Sequence, residues 1–233
     1  VTLCDYVRFQ GEKLFPFTQP NIAAGFYNKA QIREKIYPHL VMDGLEYPIT
    51  ISNCVLLIKR EIIVKNRLSY REDIRISEDA PFGSEVLYCA DSFAYLKGEQ
   101  LYHYRMTEGS ASRTYQPWWW DSSLKINEET ENFFTKCTDY DFTQQIKSNM
   151  FYLARAEIYY IMANSKLSRE EQNNKIRAVM NHPRVIRMMK DFDISPYPIQ
   201  FKLLYWSIRC RSVALRRMVG YCSSITTLLR RIH

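Results

Sequence analysis

The sequence predicts an α/β chain, with strands and helices interleaved in its first half and helices alone in its second. Three observations carry this expectation. Val1 to Arg8 (VTLCDYVR) is β-prone and partly alternating. Ile32, Ile36 and Leu40 recur at the helical period soon afterwards. Beyond Trp118-Trp119-Trp120 every remaining signal is helical, and proline and glycine become sparse.

Taken in order, the first strand turns at Gly11-Glu12-Lys13 into Leu14 to Phe17, as a hairpin or a strand leaving a sheet. Asn28 followed by Gln31 reads as a capping box, opening a helix of about three turns that ends near Asp43-Gly44. Ile51 to Arg60 (ISNCVLLIKR) is too apolar to alternate, as expected of a strand or short helix buried on both faces. Pro81 fits the first turn of another helix, with Phe82, Val86 and Leu87 on its apolar side. Ser92 to Leu96 and Leu101 to Arg105 read as a strand pair joined by Lys97-Gly98-Glu99-Gln100.

The pattern changes near Tyr115. Met150, Leu153, Ala154, Ile158, Ile161 and Met162 form one apolar stripe, and Ser168 with Glu171 caps a further helix that Pro183 must end or kink. The expected division is residues 1–115, a helical region 116–200 and a basic tail 201–233.

Charge follows the same division. The 233 residues carry 32 Lys and Arg against 25 Asp and Glu, a net charge of +7. Lys202, Arg209, Arg211, Arg216, Arg217, Arg230 and Arg231 lie in residues 201–233 with no acidic residue among them. The remaining 200 residues hold 25 cations and 25 carboxylates. A neutral body argues against a phosphate-tracking nucleic-acid surface. Disorder is excluded by a 46% apolar content that can build a sizeable core.

Six dispersed cysteines without a C-x-x-C pair and four histidines without ligand spacing give no zinc pattern, and free thiols suit a reducing cytoplasm. Neither a spanning helix nor a signal peptide is expected. The chain opens on Val1 rather than Met, which reads as a fragment or a processed product.

The chemistry centres on Ile76-Ser77-Glu78-Asp79-Ala80-Pro81-Phe82, which sets two carboxylates at the mouth of a helix. Free backbone N–H groups and the dipole favour negative charge there, so helix capping is one reading. The other is an acid/base pair in which one carboxylate takes a proton from a substrate hydroxyl while its neighbour orients it.

The ordered segments GFYNKAQIREKIYPHL, IKREIIVKNRLSY, DIRISEDAPF and AYLKGEQLYHYRMTEGSASR bear on that choice. K-R-E-I-I is followed about eighteen residues later by E-D, then by L-Y-x-Y-R and S-x-S. This set resembles the second half of a bacterial family 2 glycosyltransferase with the GT-A fold, a Rossmann-like α/β architecture, over roughly residues 1–115.

The resemblance implies transfer of a sugar from a nucleotide-sugar donor to a hydroxyl acceptor with inversion, in cell-surface polysaccharide synthesis. Asp79 would be the catalytic base and Glu78 its companion. Arg105, Ser110, Ser112 and Arg113 would approach the donor diphosphate, where guanidinium forks and hydroxyls suit phosphate oxygens. Without the resemblance, Arg105 could equally pair with a surface carboxylate and Gly109-Ser110 form a plain turn. Tyr102 and Tyr104 are expected to pack, His103 between them has a structural reading, and Lys59-Arg60 caps or flanks a buried segment.

Two departures bear on the comparison. Cys54-Val55-Leu56 stands where such enzymes often carry Trp-Asn-Lys, leaving the acceptor open. The family's nucleotide-binding half and its metal-binding D-x-D would precede Val1. The divalent metal (Mg or Mn) of the complete enzyme is therefore not expected on this fragment, which would be inactive alone. Asp139-Tyr140-Asp141 spells D-x-D in the helical half, where it reads as a loop and helix cap, and Asp191-Phe192-Asp193 is read likewise.

Were the tail one helix from Phe201 to Ile232, Leu204, Ile208, Leu215, Val219, Cys222 and Leu229 would share a face opposite Lys202, Arg209, Arg216, Arg230 and Arg231. With Arg217 these arginines would suit an anionic membrane surface. Packing of the apolar stripe on the Met150 to Met162 helix, with solvated arginines, is the competing reading, and an RNA-binding tail a third.

The expected protein is thus a membrane-associated transferase acting on a glycan or lipid-linked acceptor, peripheral at the cytoplasmic face of the cell membrane. The alternative is a non-enzymatic helical adaptor or membrane-surface binding module that keeps a remnant of the fold.

Overall fold

A computed structural model describes residues 1–19, 21–106 and 116–220, the side chain of Ile49 excepted, and shows a mixed α/β chain. It divides into two compact units, Val1–Asn149 and the chain from Met150 onward.

In the first unit a sheet is built around β1 (Thr2–Gln10). A two-residue loop with Gly11 at φ +58° returns the chain into β2 (Lys13–Phe17), the predicted hairpin. β3 is Gly25–Asn28, β4 the short Leu56–Leu57 and β5 the long Ser92–Arg105, in the order β2-β1-β5-β3, with β4 antiparallel to the start of β1.

β5 corrects the expected strand pair. Ser92 to Leu96 and Leu101 to Arg105 do not face each other, because both belong to one strand running parallel to β1. Register slips on either side of Asp5 let β5 bulge through Gly98, whose φ of +93° favours glycine. Asp5 is fully buried and holds the bulge: its carboxylate accepts from Gly98 N–H at 2.7 Å, from the Thr18 hydroxyl at 2.9 Å and from the Tyr95 hydroxyl. Tyr95 in turn accepts from Gln19 N–H at 2.9 Å.

The capping box of α1 (Lys29–Lys35) forms as expected, but α1 stops earlier than its apolar period. Pro38 lacks an N–H and crowds the preceding turn, so Tyr37–His39 continues as a 3-10 turn. Residues 51–60 also differ from expectation. Ile51 and Val55 are buried, but the segment is two 3-10 turns and β4, and Leu57 is 76% exposed.

Lys59 stands at the N-cap of α2 (Arg60–Asn66) without a side-chain capping bond, and the helix ends on left-handed Arg67. α3 (Asp79–Cys89) begins two residues before Pro81 and buries everything from Ala80 to Leu87. Gly83 lies so close to the preceding 3-10 turn that a Cβ there would sit 2.3 Å from the Ile51 carbonyl oxygen.

α4 (Trp119–Phe134) belongs to this unit, so the division falls after Asn149 and not near Tyr115. The reason is polar as well as apolar. Arg71 binds Glu129 of α4 at 2.9 Å, and Asn127 Nδ2 donates to the Ile146 carbonyl at 2.9 Å. Gln145, near the start of α5 (Thr143–Ala163), accepts from Val41 N–H at 2.8 Å and donates to the Tyr37 carbonyl at 2.7 Å. Tyr37, Tyr88, Phe134 and Phe142 pack as an aromatic core between them.

The second unit is helical: the remainder of α5, α6 (Arg169–Asn181), α7 (Pro183–Met189), α8 (Ile199–Arg209) and a further segment, residues 213–220. Met150, Leu153, Ala154, Ile158 and Ile161 are buried, as their stripe predicts. Ser168 and Glu171 form the capping box, and α6 stops at His182-Pro183, whose proline opens α7.

The single-helix reading of the tail is corrected. α8 ends at Cys210, and Arg211 adopts φ +55°, which resets the helical phase. Arg209 is exposed, but Arg216 and Arg217 are buried, at 4% and 7% exposure, while Met218 faces outward. Those two arginines therefore do not belong to an exposed basic face of a single helix. Arg230 and Arg231 lie outside the described residues. Among the described residues no helix is long and apolar enough to cross a membrane.

Candidate functional site

The start of α3 is made by an abrupt reversal of the chain. Ser77 adopts φ +53°, an uncommon conformation for a residue with a side chain, and Ala80 N–H closes on its carbonyl at 3.1 Å. Glu78 is the N-cap and makes no side-chain capping bond. It is exposed, whereas Asp79 is half-buried. The two carboxylates therefore meet different solvent although they are adjacent in sequence.

Burial, with the negative charge of Glu78 added, pushes the Asp79 carboxyl up to about 6. The backbone N–H groups of Ala80 and Asn53 pull in the opposite direction. Asp79 thus remains mostly ionised at neutral pH while holding a proton better than an ordinary aspartate. Glu78 thus makes no capping bond, whereas the Asp79 carboxyl accepts from backbone N–H groups at the start of α3, as a capping carboxylate does.

Two neighbours complete the site, and the sequence did not single out either. Asn53 Nδ2 donates to the Tyr70 hydroxyl at 2.6 Å, and the Tyr70 ring stacks on Phe82 with centroids 4.3 Å apart. Burial raises the Tyr70 hydroxyl above its usual range, and Asp79 and Glu78 add to the effect. Asn53 Oδ1 is buried without a hydrogen-bond partner. The signal that points here is positional: Asn53-Cys54 shortly precedes the K-R-E run, in a 3-10 turn from which the Asn53 backbone N–H reaches the Asp79 carboxyl.

The sheet contributes unequally. Thr2, Cys4, Tyr6 and Arg8 share one face of β1, and register places Tyr102 and Tyr104 beside Tyr6 and Arg8. Cys54 lies near this face: burial raises the Tyr102 hydroxyl above its usual range, and the nearby Cys54 thiol adds to the effect. Arg8 Nη2 donates to the Tyr6 hydroxyl at 2.8 Å. His103 and Arg105 take the other face with Val7 and Phe9, and the Arg105 guanidinium lies 5.5 Å from the Phe9 ring centre.

Glu78 and Asp79 are accordingly brought together with Asn53 and Tyr70, and Arg105 is not gathered with them. Ser110, Ser112 and Arg113 lie outside the described residues.

Deeper in α3, Glu85 accepts from Arg71 at 2.8 Å, and Arg71 also binds Glu129. Burial pushes Glu85 up to about 7 against the pull of Arg71. The guanidinium, bonded by both carboxylates, is held above its usual range although burial opposes its charge. This cluster joins α3 to α4 and is structural.

The D-x-D segments do not fit a divalent metal. Asp139 binds Arg33 at 2.9 Å and accepts from the Tyr88 hydroxyl at 2.6 Å; these bonds outweigh burial and hold it below its usual range. Asp141 caps α5 through Thr143 N–H at 2.9 Å. Asp193 accepts from Ser195 N–H at 2.9 Å. Among the described residues no group of three or more His, Cys, Asp or Glu is placed to hold a metal ion.

Comparisons with known protein families, with curated proteins and with solved structures find no match to this chain.

Proposed function

We propose that the chain is the acceptor-side part of an inverting glycosyltransferase resembling the bacterial family 2 enzymes, and that Asp79 is its base. One observation carries the reading: Asp79, of the E-D pair, stands at the start of a buried helix with its carboxyl raised to about 6. A carboxylate so tuned is mostly unprotonated at pH 7 and is a better proton acceptor than a free aspartate.

In the reaction, an acceptor hydroxyl passes its proton to Asp79. Its oxygen forms the new bond to the anomeric carbon, and the bond to the nucleotide diphosphate breaks on the opposite face, which inverts the centre. Glu78 keeps the base raised through its charge, and Asn53 and Tyr70 supply polar groups beside it. The donor is a nucleotide sugar and the acceptor a glycan or lipid-linked sugar at the cytoplasmic face of the membrane. No step is assigned to a metal, since among the described residues no group of His, Cys, Asp or Glu is placed to hold one.

The test is sugar transfer by the full-length gene product. Asp79→Asn should lower the transfer rate by about 10²- to 10⁴-fold while donor binding stays nearly unchanged. Full activity in that variant excludes Asp79 as base. Absence of transfer by the unaltered protein, with vesicle binding retained, favours a membrane-surface module instead.

A further inference from the structure

The second unit holds a cavity of about 590 Å³ between α6 and residues 213–220. Its chemistry is one-sided. Arg169, Asn173 and Arg177 are spaced four apart on α6 and so lie along one helix face, and Arg217 enters from the facing segment. Val213 and Met218 complete an apolar wall, and none of the described residues lining the cavity is acidic.

Arg217 is the fixed member of the set. It is 7% exposed; its Nε donates to Asn173 Oδ1 at 2.8 Å and its Nη2 to Gln172 Oε1 at 3.1 Å. Both of these acceptors are neutral amides, and they orient the guanidinium. Arg169 and Arg177 are exposed and stand at the rim. The adjacent Arg216 is not among the lining residues; it is 4% exposed, and burial with Arg155 nearby pushes it down to about 10.

A cavity of this kind recognises a specific chemistry. Guanidinium forks match the paired oxygens of a phosphate and donate to two of them at once. The volume is that of a site for a small molecule rather than a lone oxyanion. The apolar wall provides surface for an organic group attached to the phosphate. We infer that Arg169, Arg177 and Arg217 form a binding site for a phosphate ester that carries an organic group. A phospholipid headgroup and a soluble phosphorylated compound share this chemistry. The inference is independent of the transferase reading, since none of its residues belongs to the Asp79 site.

The experiment uses the whole chain and two probes: glycerol 3-phosphate in a calorimetric titration, and co-sedimentation with phosphatidylcholine vesicles with and without phosphatidylglycerol. The Arg169→Glu/Arg177→Glu variant is compared with Lys166→Glu/Lys175→Glu, which changes charge equally at exposed positions outside the cavity. Loss of two charge-assisted contacts should weaken binding at least about tenfold in the arginine variant, and less than about threefold in the lysine variant.

Binding of glycerol 3-phosphate identifies a soluble ligand class, whereas binding only to vesicles containing phosphatidylglycerol identifies a headgroup. Either result, with the arginine-specific loss, supports the site. Failure to bind both probes, or equal loss in the two variants, overturns it.

Discussion

Tyr102 and Arg105, three residues apart on β5, leave that strand on opposite faces of the sheet. Tyr102 lies on the face of Tyr6, near Cys54, the residue that follows Asn53, whereas Arg105 lies over Phe9. The cation assigned from the L-Y-x-Y-R motif and the carboxylate assigned from E-D are thus held by different surfaces of the described structure.

Asp79 and Glu85 make stability depend on pH in one direction. Both carboxyls are raised in the folded chain, to about 6 and about 7. The contribution of each is fully present below the unfolded carboxylate pKa and is lost as pH rises through the folded value. Urea unfolding of the chain should show stability falling from about pH 4 to pH 7. Asp79→Asn, which cannot ionise, should be more stable than the parent at pH 7, by about 1–3 kcal/mol. Greater parent stability at pH 7 than at pH 5 would count against the raised carboxyls.

Gly83→Ala tests the packing behind the site. Alanine favours helix over glycine by about 1 kcal/mol, so a gain is expected from propensity alone. The Ile51 carbonyl lies 2.3 Å from the new Cβ, however, and it is backbone that cannot rotate away. Thermal unfolding should show a net loss of about 1–3 kcal/mol. A stabilised variant would mean that α3 and the Ile49–Ile51 turn are further apart than described.

Asp5→Asn tests the bulge in β5. The carboxylate is buried and accepts from Gly98, Thr18 and Tyr95, and an amide must turn donors toward some of these donors. The expected cost is about 2–4 kcal/mol. Faster hydrogen exchange should centre on Gly98 and spread to its neighbours in β5. Unchanged exchange at Gly98 would show that the bulge does not depend on Asp5.

The parts of the fold that were legible in the sequence are those fixed by neighbours in the chain. Asn28 with Gln31 and Ser168 with Glu171 cap their helices through residues three apart, and Gly11 closes its hairpin over two residues. The parts that were not legible depend on distant partners. Gly98 looks like a hairpin turn until Asp5, 93 residues away, accepts its N–H and keeps β5 continuous.

The tail failed for a related reason. A charge count cannot see that Arg211 breaks the helix and turns Arg216 and Arg217 inward, where Asn173 and Gln172 receive Arg217. At the site, E-D was visible as a pair, but Asn53 and Tyr70 lie 26 and 9 residues before Asp79 at spacings that no helical or strand period selects.

Asp79 is proposed as the base because its surroundings raise its carboxyl. The pH dependence of transfer by the full-length gene product, measured with and without Glu78→Gln, tests this most directly. The predicted profile has an acid limb with its midpoint near pH 6, and Glu78→Gln moves that midpoint downward because a neighbouring negative charge is removed. A rate that is flat from pH 5 to pH 8, or a limb that Glu78→Gln leaves in place, would contradict the account.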